Sequence, residues 1–129
     1  MATQGMRRGL VLVVDDEEIF RKSARRLLEG LGYSVLCAAD GAQAVETLRS
    51  HGELVELVLL DMVMPTMGGV ETFHELRRIK PTIKVLLNSG HAELHSVRAL
   101  LAAGASAFLQ KPYDAGPLAA ALSKALARK

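Results

Sequence analysis

Hydrophobic and polar positions follow two alternating patterns along the chain. Short runs of consecutive aliphatic residues predict strands that are buried on both faces, and longer stretches with an apolar stripe at helical spacing predict amphipathic helices. The five predicted strands are mainly apolar and cover residues 10–14, 33–37, 55–60, 83–87 and 105–109. A predicted helix follows each strand, so the pattern indicates an α/β fold with a parallel sheet and helices on both faces.

The ends of the predicted helices are marked by residues that start or stop a helix. Gly32 ends the first helix, and the third ends before Pro81. The second and fourth helices are predicted at residues 41–50 and 92–103, and Asp114 is predicted to cap the fifth. The inward stripe predicted for the first helix consists of Ile19, Phe20, Ser23, Ala24, Leu27, Leu28 and Leu31.

The composition of the strands predicts their order in the sheet. The runs at 10–14, 55–60 and 83–87 are the most continuously aliphatic, which is typical of central strands. The more mixed runs at 33–37 and 105–109 are therefore expected at the edges. This arrangement agrees with the 2-1-3-4-5 order of a flavodoxin-like, doubly wound sheet, in which ligands bind beyond the carboxyl ends of the first and third strands.

Length and composition narrow the class of protein. The 129 residues are 50% hydrophobic, which predicts a single domain over residues 1–129 with a flexible amino-terminal tail at residues 1–8. A net charge of +2 gives no reason to expect direct binding to nucleic acid. The single cysteine, Cys37, excludes an internal disulfide and fits a reducing compartment. No apolar run approaches the roughly 20 residues of a membrane span, so a cytoplasmic location away from membranes is expected.

Three carboxylates follow the two strands at which a ligand crevice is expected. Asp15 and Asp16 come directly after the first strand, and Asp61 comes directly after the third. Since neighbouring strands lie about 4.8 Å apart, these groups should converge and raise one another's pKa values. Mg²⁺ bound through oxygen relieves that repulsion. Ser89 and Lys111 end the fourth and fifth strands, and the whole set suits a phosphoryl group.

Each of these residues also has a purely structural interpretation. Asp15 and Asp16 could cap the first helix, and Asp61 could start a turn. Ser89 could cap the fourth helix, and Lys111 could belong to a surface bend. Taken singly, these interpretations are favoured. The combination of acid, acid, hydroxyl and lysine at successive strand ends favours a site.

The same positions carry a resemblance to the receiver (response-regulator) domain of two-component signalling, and it extends over essentially the whole chain. The matching segments are VVDDE at 13–17, LLDMVMPTMGG at 59–69, NSG at 88–90, and Gly104-Ala105 through Phe108 to Lys111-Pro112. The resemblance implies that Asp61 accepts a phosphoryl group from the phosphohistidine of a histidine kinase or phosphotransfer protein.

The resemblance also implies roles for the residues around Asp61. Asp16, Asp61 and the backbone carbonyl of Val63 would hold Mg²⁺, and Asp15 would act largely through metal-bound water. Lys111 would supply charge, while Ser89 and backbone amides would bind phosphoryl oxygens. A domain of this kind catalyses only its own phosphorylation and dephosphorylation, so it is not expected to be an enzyme.

A conformational switch is implied by the same family. Ser89 would move toward the phosphoryl group and Phe108 would turn inward, which would change the surface formed by the fourth helix, fifth strand and fifth helix. That surface would bind a downstream protein target. Formation of a phosphorylation-dependent dimer is also compatible with the sequence. A cis peptide bond is expected between Lys111 and Pro112, although unaided X-Pro bonds favour trans by about 0.5–1 kcal/mol.

Several positions depart from the common family pattern. Phe108 replaces the Tyr of many relatives, which argues against a flagellar-motor role, and Gly68 replaces a frequent acidic residue. The pair Ser89-Gly90 is similar to receivers attached to hybrid histidine kinases, so a stand-alone regulator and an excised receiver are both open. Val63 and His91 lie where relatives tune phosphoryl lifetime. Because apolar Val63 cannot orient an attacking water, we expect a persistent phosphoryl group.

Three alternative functions fit the sequence less well. A Mg²⁺-dependent phosphatase of haloacid-dehalogenase type also uses an aspartyl nucleophile, but it requires Asp-x-Asp and a cap insertion. A flavin carrier requires a phosphate-binding loop after the first strand, where this chain has acids that would repel phosphate. His91 and His95 are spaced four apart, as in some zinc sites, but the sequence offers no evident third ligand.

Overall fold

The computed structural model describes residues 8–65, 67–90 and 94–127. Five strands alternate with five helices across these ranges. The strands are β1 Leu10–Val14, β2 Ser34–Ala38, β3 Val55–Asp61, β4 Lys84–Ser89 and β5 Ala107–Gln110. The helices are α1 Glu18–Gly30, α2 Gly41–His51, α3 Gly69–Ile79, α4 Leu94–Ala102 and α5 Ala115–Ala127. Most of the tail predicted at residues 1–8 falls outside the described residues, as do His91 and the first two residues of the predicted fourth helix.

The strands form one parallel sheet in the order β2-β1-β3-β4-β5. The predicted fold class and strand order are therefore confirmed, and the mixed strands β2 and β5 lie at the edges. Because successive side chains of a strand point to opposite faces, the aliphatic central strands feed two cores. Leu12 and Leu60 belong to the core under α2, α3 and α4, whereas Val13 and Leu59 belong to the core under α1 and α5.

Several strands end later than the hydrophobic pattern predicts. The fourth strand was expected at 83–87, but β4 continues through Asn88 and Ser89, which pair with Asp61 of β3 and Gln110 of β5. The reason is that a sheet is held by backbone hydrogen bonds, which polar residues also make. This extension brings polar side chains to the carboxyl edge of the sheet, where the candidate site lies.

The inward stripe predicted for the first helix is wrong at one end. Ile19 is 74% exposed and Ser23 is also exposed, whereas Ala24 and Leu28 are fully buried and Phe20 is half-buried. Residues 20, 24 and 28 are spaced by four, so they lie above one another on one face. Positions 19 and 23 are displaced by about 100° round the helix, which turns them toward solvent.

Among the described residues, no helix combines the length and the apolar character needed to cross a bilayer.

Candidate functional site

The carboxylates identified in the sequence meet at the carboxyl edge of the sheet. Asp15 follows β1, Asp61 ends β3, and an oxygen from each of Asp15, Asp16 and Asp61 lies within 4.8 Å of the others. Asp15 and Asp61 are buried, with 4% and 3% of their surface exposed, whereas Asp16 is exposed. Burial of two acids at one point requires partners, because an unpaired buried charge is costly.

An open cleft of about 500 Å³ leads to this cluster. It lies beyond the ends of β1, β3, β4 and β5, as the strand order predicts. Its lining residues are Asp16, Glu17, Phe20, Asp61, Val63, Ser89, Gly90, Lys111 and Pro112. Five predicted metal-ligand or phosphoryl-binding residues therefore line it together, namely Asp16, Asp61, Val63, Ser89 and Lys111.

Lys111 is the cationic partner of the buried acids. Its Nζ atom lies 2.7 Å from Asp15 Oδ2, 3.4 Å from Asp61 Oδ2 and 4.0 Å from Glu17 Oε1. The side chain follows β5 and is itself buried. Its backbone amide donates to the Ser89 carbonyl at 2.9 Å, which extends the pairing with β4. The predicted cis bond between Lys111 and Pro112 is present.

Local hydrogen bonds fix both buried carboxylates. Asp15 Oδ1 accepts from the Glu17 amide at 2.9 Å, and the Arg21 guanidinium donates to the Asp15 carbonyl at 2.7 Å. Glu17 occupies the N-cap position of α1, so the interpretation of Asp15 and Asp16 as helix caps is wrong. Asp61 Oδ1 accepts from the Val63 amide at 3.2 Å. Each remaining carboxylate oxygen is thereby directed toward Lys111 and its neighbours.

The electrostatics of the cluster favour a bound cation. Burial, followed by the charge of Asp15, raises the pKa of Asp61 to about 6, although the Val63 amide and Lys111 act in the opposite direction. Burial, followed by the charges of Asp15 and Asp61, raises the pKa of Tyr113 to about 12. In both groups burial is the larger cause, and the charges of the neighbouring carboxylates add to it. Carboxylate oxygens on one exposed and two buried groups are suitable ligands for Mg²⁺.

The remaining predicted site residues differ in their burial and in whether they line the cleft. Ser89 is fully buried and lines the cleft, and Val63 lines it with 46% of its surface exposed. Phe108 is half-buried, lies next to Leu87 in the sheet and packs against the core under α2, α3 and α4. His91 falls outside the described residues, so its position beside the site stays a prediction.

Two residues near the cleft have no place in the sequence-based site. Phe20 places its ring centroid 4.1 Å from Lys111 Nζ. Asn88 is the sheet partner of Asp61, is 2% exposed, and its Oδ1 has no hydrogen-bond partner among the described residues. In the sequence, Asn88 directly follows the aliphatic run at 83–87 and gives the signal of a polar residue at a strand end. Phe20 gave no such signal, because an aromatic residue on a helix stripe predicts only packing.

Comparison with known proteins identifies this arrangement. Residues 11–123 match the family model of the response regulator receiver domain. The chain belongs to this family. It is 38% identical over 119 residues to the sensor kinase CckA of Brucella abortus (strain 2308), and 32% identical over 117 residues to the chemotaxis protein CheY of Bacillus subtilis (strain 168).

The share of each relative that is covered differs widely. The alignment with CckA covers 92% of this chain but only 13% of CckA. The alignment with CheY covers 90% of this chain and 96% of CheY. A chain in the crystal structure of a CheX-CheY-BeF3-Mg²⁺ complex from Borrelia burgdorferi superimposes with a TM-score of 0.87 at 26% identity. That match covers 93% of this receiver and 90% of that chain.

Family membership gives the coarse function. This receiver is a signalling domain of a two-component system, a family for which phosphorylation and Mg²⁺ are characteristic. Receiver domains interact with histidine kinases and with downstream effectors. The phosphatase alternative finds no support in these matches.

Proposed function

We propose that Asp61 of this receiver accepts a phosphoryl group from the phosphohistidine of a histidine kinase or phosphotransfer protein. An Asp61 oxygen attacks phosphorus, the bond between phosphorus and the imidazole nitrogen breaks, and the imidazole leaves as the neutral ring after taking up a proton. The observation that carries this proposal is the contact of Lys111 Nζ with both Asp15 and Asp61 beside an open cleft that Lys111 and Asp61 line.

The acidic cluster supports a Mg²⁺ site. Asp16, Asp61 and the backbone carbonyl of Val63 would hold the ion, and Asp15 would contact it through water. Mg²⁺ supplies positive charge that offsets the charge on the phosphoryl oxygens, which matters because phosphoryl transfer depends mainly on positioning and electrostatic stabilisation. The raised pKa of Asp61 supports this assignment, since a cation at the cluster would favour its ionised, nucleophilic form.

Lys111 and Ser89 would bind the transferred group. Lys111 carries a mobile ammonium with three donors, and of its contacts with the two buried acids the longer is the one to Asp61, at 3.4 Å. A phosphoryl group on Asp61 would offer new anionic acceptors to that ammonium. Ser89 lines the same cleft from the end of β4, so its hydroxyl is suited to a second oxygen.

Phosphorylation would signal by changing the protein-binding surface of the domain. Movement of Ser89 toward the phosphoryl group would free space into which Phe108 turns, and the face formed by α4, β5 and α5 would bind a downstream protein. The phosphoryl group shifts this equilibrium only by its differential affinity for the two states. Phe108 is half-buried beside Leu87, which leaves its ring further surface to bury.

Intact mass spectrometry tests the phosphoacceptor role. We expect incubation with acetyl phosphate and Mg²⁺ to add one phosphoryl group, and we expect excess chelator to suppress the addition. Asp61→Asn preserves the shape of the side chain but removes the nucleophilic carboxylate, so it should show no addition. Equal phosphorylation of Asp61→Asn and the wild-type chain would contradict the proposal.

A further inference from the structure

Among the described residues, the ammonium of Lys111 contacts three carboxylates and one group that carries no charge. The carboxylates belong to Asp15, Asp61 and Glu17. The uncharged group is the ring of Phe20, whose centroid lies 4.1 Å from Nζ. That distance is well within the roughly 6 Å at which a cation is attracted to the face of an aromatic ring.

The carboxylate partners of Lys111 change during the proposed reaction, whereas Phe20 does not. Asp61 would become an acyl phosphate, and Asp15 would share its charge with Mg²⁺ at the acidic cluster. The attraction of Lys111 to both groups therefore changes between the resting and phosphorylated states. The attraction to the ring depends on its permanent quadrupole, so it stays constant while the charges move.

The position of Phe20 is fixed by the packing of α1. Phe20 is half-buried and lines the cleft, and it lies on the same helix face as buried Ala24 and Leu28. Its neighbour Ile19 is 74% exposed. The first turn of α1 therefore presents one apolar side chain to Lys111 and another to solvent, which provides a matched pair for substitution.

We propose that Phe20 is a positioning residue for Lys111. Its ring holds the ammonium at the cleft by a cation–π contact, so that Lys111 transfers its hydrogen bonds from the carboxylates to the phosphoryl group without leaving the site. Phe20 acts through Lys111 and takes no part in bond making. This inference rests on the phosphoacceptor function proposed for Asp61.

A series of fluorinated phenylalanines at position 20 separates the cation–π contact from simple packing. Successive fluorine atoms reduce the negative potential of the ring face while they change its volume little. We expect the rate of phosphorylation by acetyl phosphate in saturating Mg²⁺ to fall stepwise along the mono-, di- and trifluoro series. Phe20→Leu, which has no ring, should lie at the end of the series with about a tenfold loss.

Two substitutions serve as matched controls. Phe20→Tyr keeps an aromatic face and should retain the wild-type rate within about twofold, given the similar strength of the two rings as cation–π partners. Ile19→Ala changes the exposed apolar neighbour and should leave the rate unchanged. Because the fluorinated rings preserve the shape of Phe20, the series still tests the proposal if Phe20→Leu folds poorly.

An NMR measurement tests the contact without phosphorylation. In protein labelled with ¹³C at lysine Cε, the Lys111 resonance should show an upfield ring-current shift that is lost in Phe20→Leu and kept in Phe20→Tyr. Equal phosphorylation rates across the fluorinated series, or a Lys111 resonance unaffected by Phe20→Leu, would overturn the inference and leave the role of Asp61 intact. A wild-type chain that takes up no phosphoryl group would overturn both.

Discussion

Asp61 combines three properties that single residues of a fold seldom share. It is buried, it adjoins a second buried carboxylate, and its ammonium partner is closer to that neighbour than to Asp61 itself. Burial and the charge of Asp15 raise its pKa to about 6. The metal-free receiver therefore holds this carboxylate in an unfavourable state at neutral pH.

Replacement of Asp61 by Asn tests this electrostatic strain. The pKa of Asp61 in the folded chain lies above its ordinary value of 3.8, so the folded state binds the extra proton between pH 4 and pH 6. This contribution to stability is present below about pH 4 and is lost as the pH rises through 6. Asp61→Asn has no such dependence. We therefore compare the free energy of unfolding of Asp61→Asn with that of the wild-type chain in the absence of metal. The value for Asp61→Asn minus the value for wild type should increase by on the order of 1 kcal/mol when the pH is raised from 4.5 to 7.5.

Urea unfolding in chelator at the two pH values provides the measurement. Acid effects from groups far from Asp61 are shared by both proteins and cancel in the difference. A difference that is the same at pH 4.5 and pH 7.5, or that decreases with pH, would contradict the electrostatic explanation.

Val63 is the residue expected to control how long the phosphoryl group persists. It lines the cleft with 46% of its surface exposed, and its apolar side chain offers an attacking water no hydrogen bond. Val63→Asn supplies an amide at that position and should speed the loss of the phosphoryl group severalfold. Decay is followed by intact mass after the phosphodonor is removed.

Val70 provides the matched control for this substitution. It is 37% exposed on α3 and is not among the described residues that line the cleft, so Val70→Asn should leave the decay unchanged. Slower decay in Val63→Asn than in the wild-type chain would show that the apolar side chain does not protect the phosphoryl group.

At the scale of elements, the junction between β3 and α3 controls the position of Asp61. The chain leaves β3 at Asp61 and turns back so closely that the Gly69 amide donates to the Met62 carbonyl at 3.1 Å. A Cβ atom on Gly69 would lie 2.6 Å from Met62 Cα, a backbone atom that cannot move without moving Asp61. At Gly68, one residue earlier, no heavy atom of the described residues lies within 4 Å of the corresponding position.

This asymmetry predicts that only one of two neighbouring substitutions destabilises the fold. Gly69→Ala should lower the free energy of unfolding by about 2 kcal/mol, since overpacking typically costs 1–3 kcal/mol. It should also slow phosphorylation by displacing the loop. Gly68→Ala should change stability by less than about 0.5 kcal/mol. Urea unfolding of the two variants measures the contrast, and equal destabilisation would rule out close contact at Gly69 as the cause.

Element boundaries show which parts of the fold could be predicted locally. Aliphatic runs located all five strands, because burial on both faces leaves little choice of side chain. The ends of β4 and β5 were missed by one or two residues, since Asn88, Ser89 and Gln110 are held by backbone pairing with neighbouring strands. The rotation of α1 about its axis, which exposes Ile19, depends on which of its residues pack against the sheet. The apolar stripe in the sequence does not determine this rotation.

At the scale of the whole molecule, topology made much of the site predictable. The order 2-1-3-4-5 brings the carboxyl ends of β1 and β3 together, so acids that follow those strands must lie close. Asp15, Asp16 and Asp61 were found from this rule alone, and Lys111 from the end of β5. The ring of Phe20 over Lys111 could not be predicted, because it depends on how α1 is rotated against the sheet.

The central claim is that Asp61 is the residue that becomes phosphorylated. Borohydride reduction of an acyl phosphate converts the modified aspartate to homoserine, which tandem mass spectrometry locates within a peptide. After incubation with acetyl phosphate and Mg²⁺, we predict homoserine at position 61 in the wild-type chain and none in Asp61→Asn. Homoserine at position 15 or 16, or none at any position, would contradict the account.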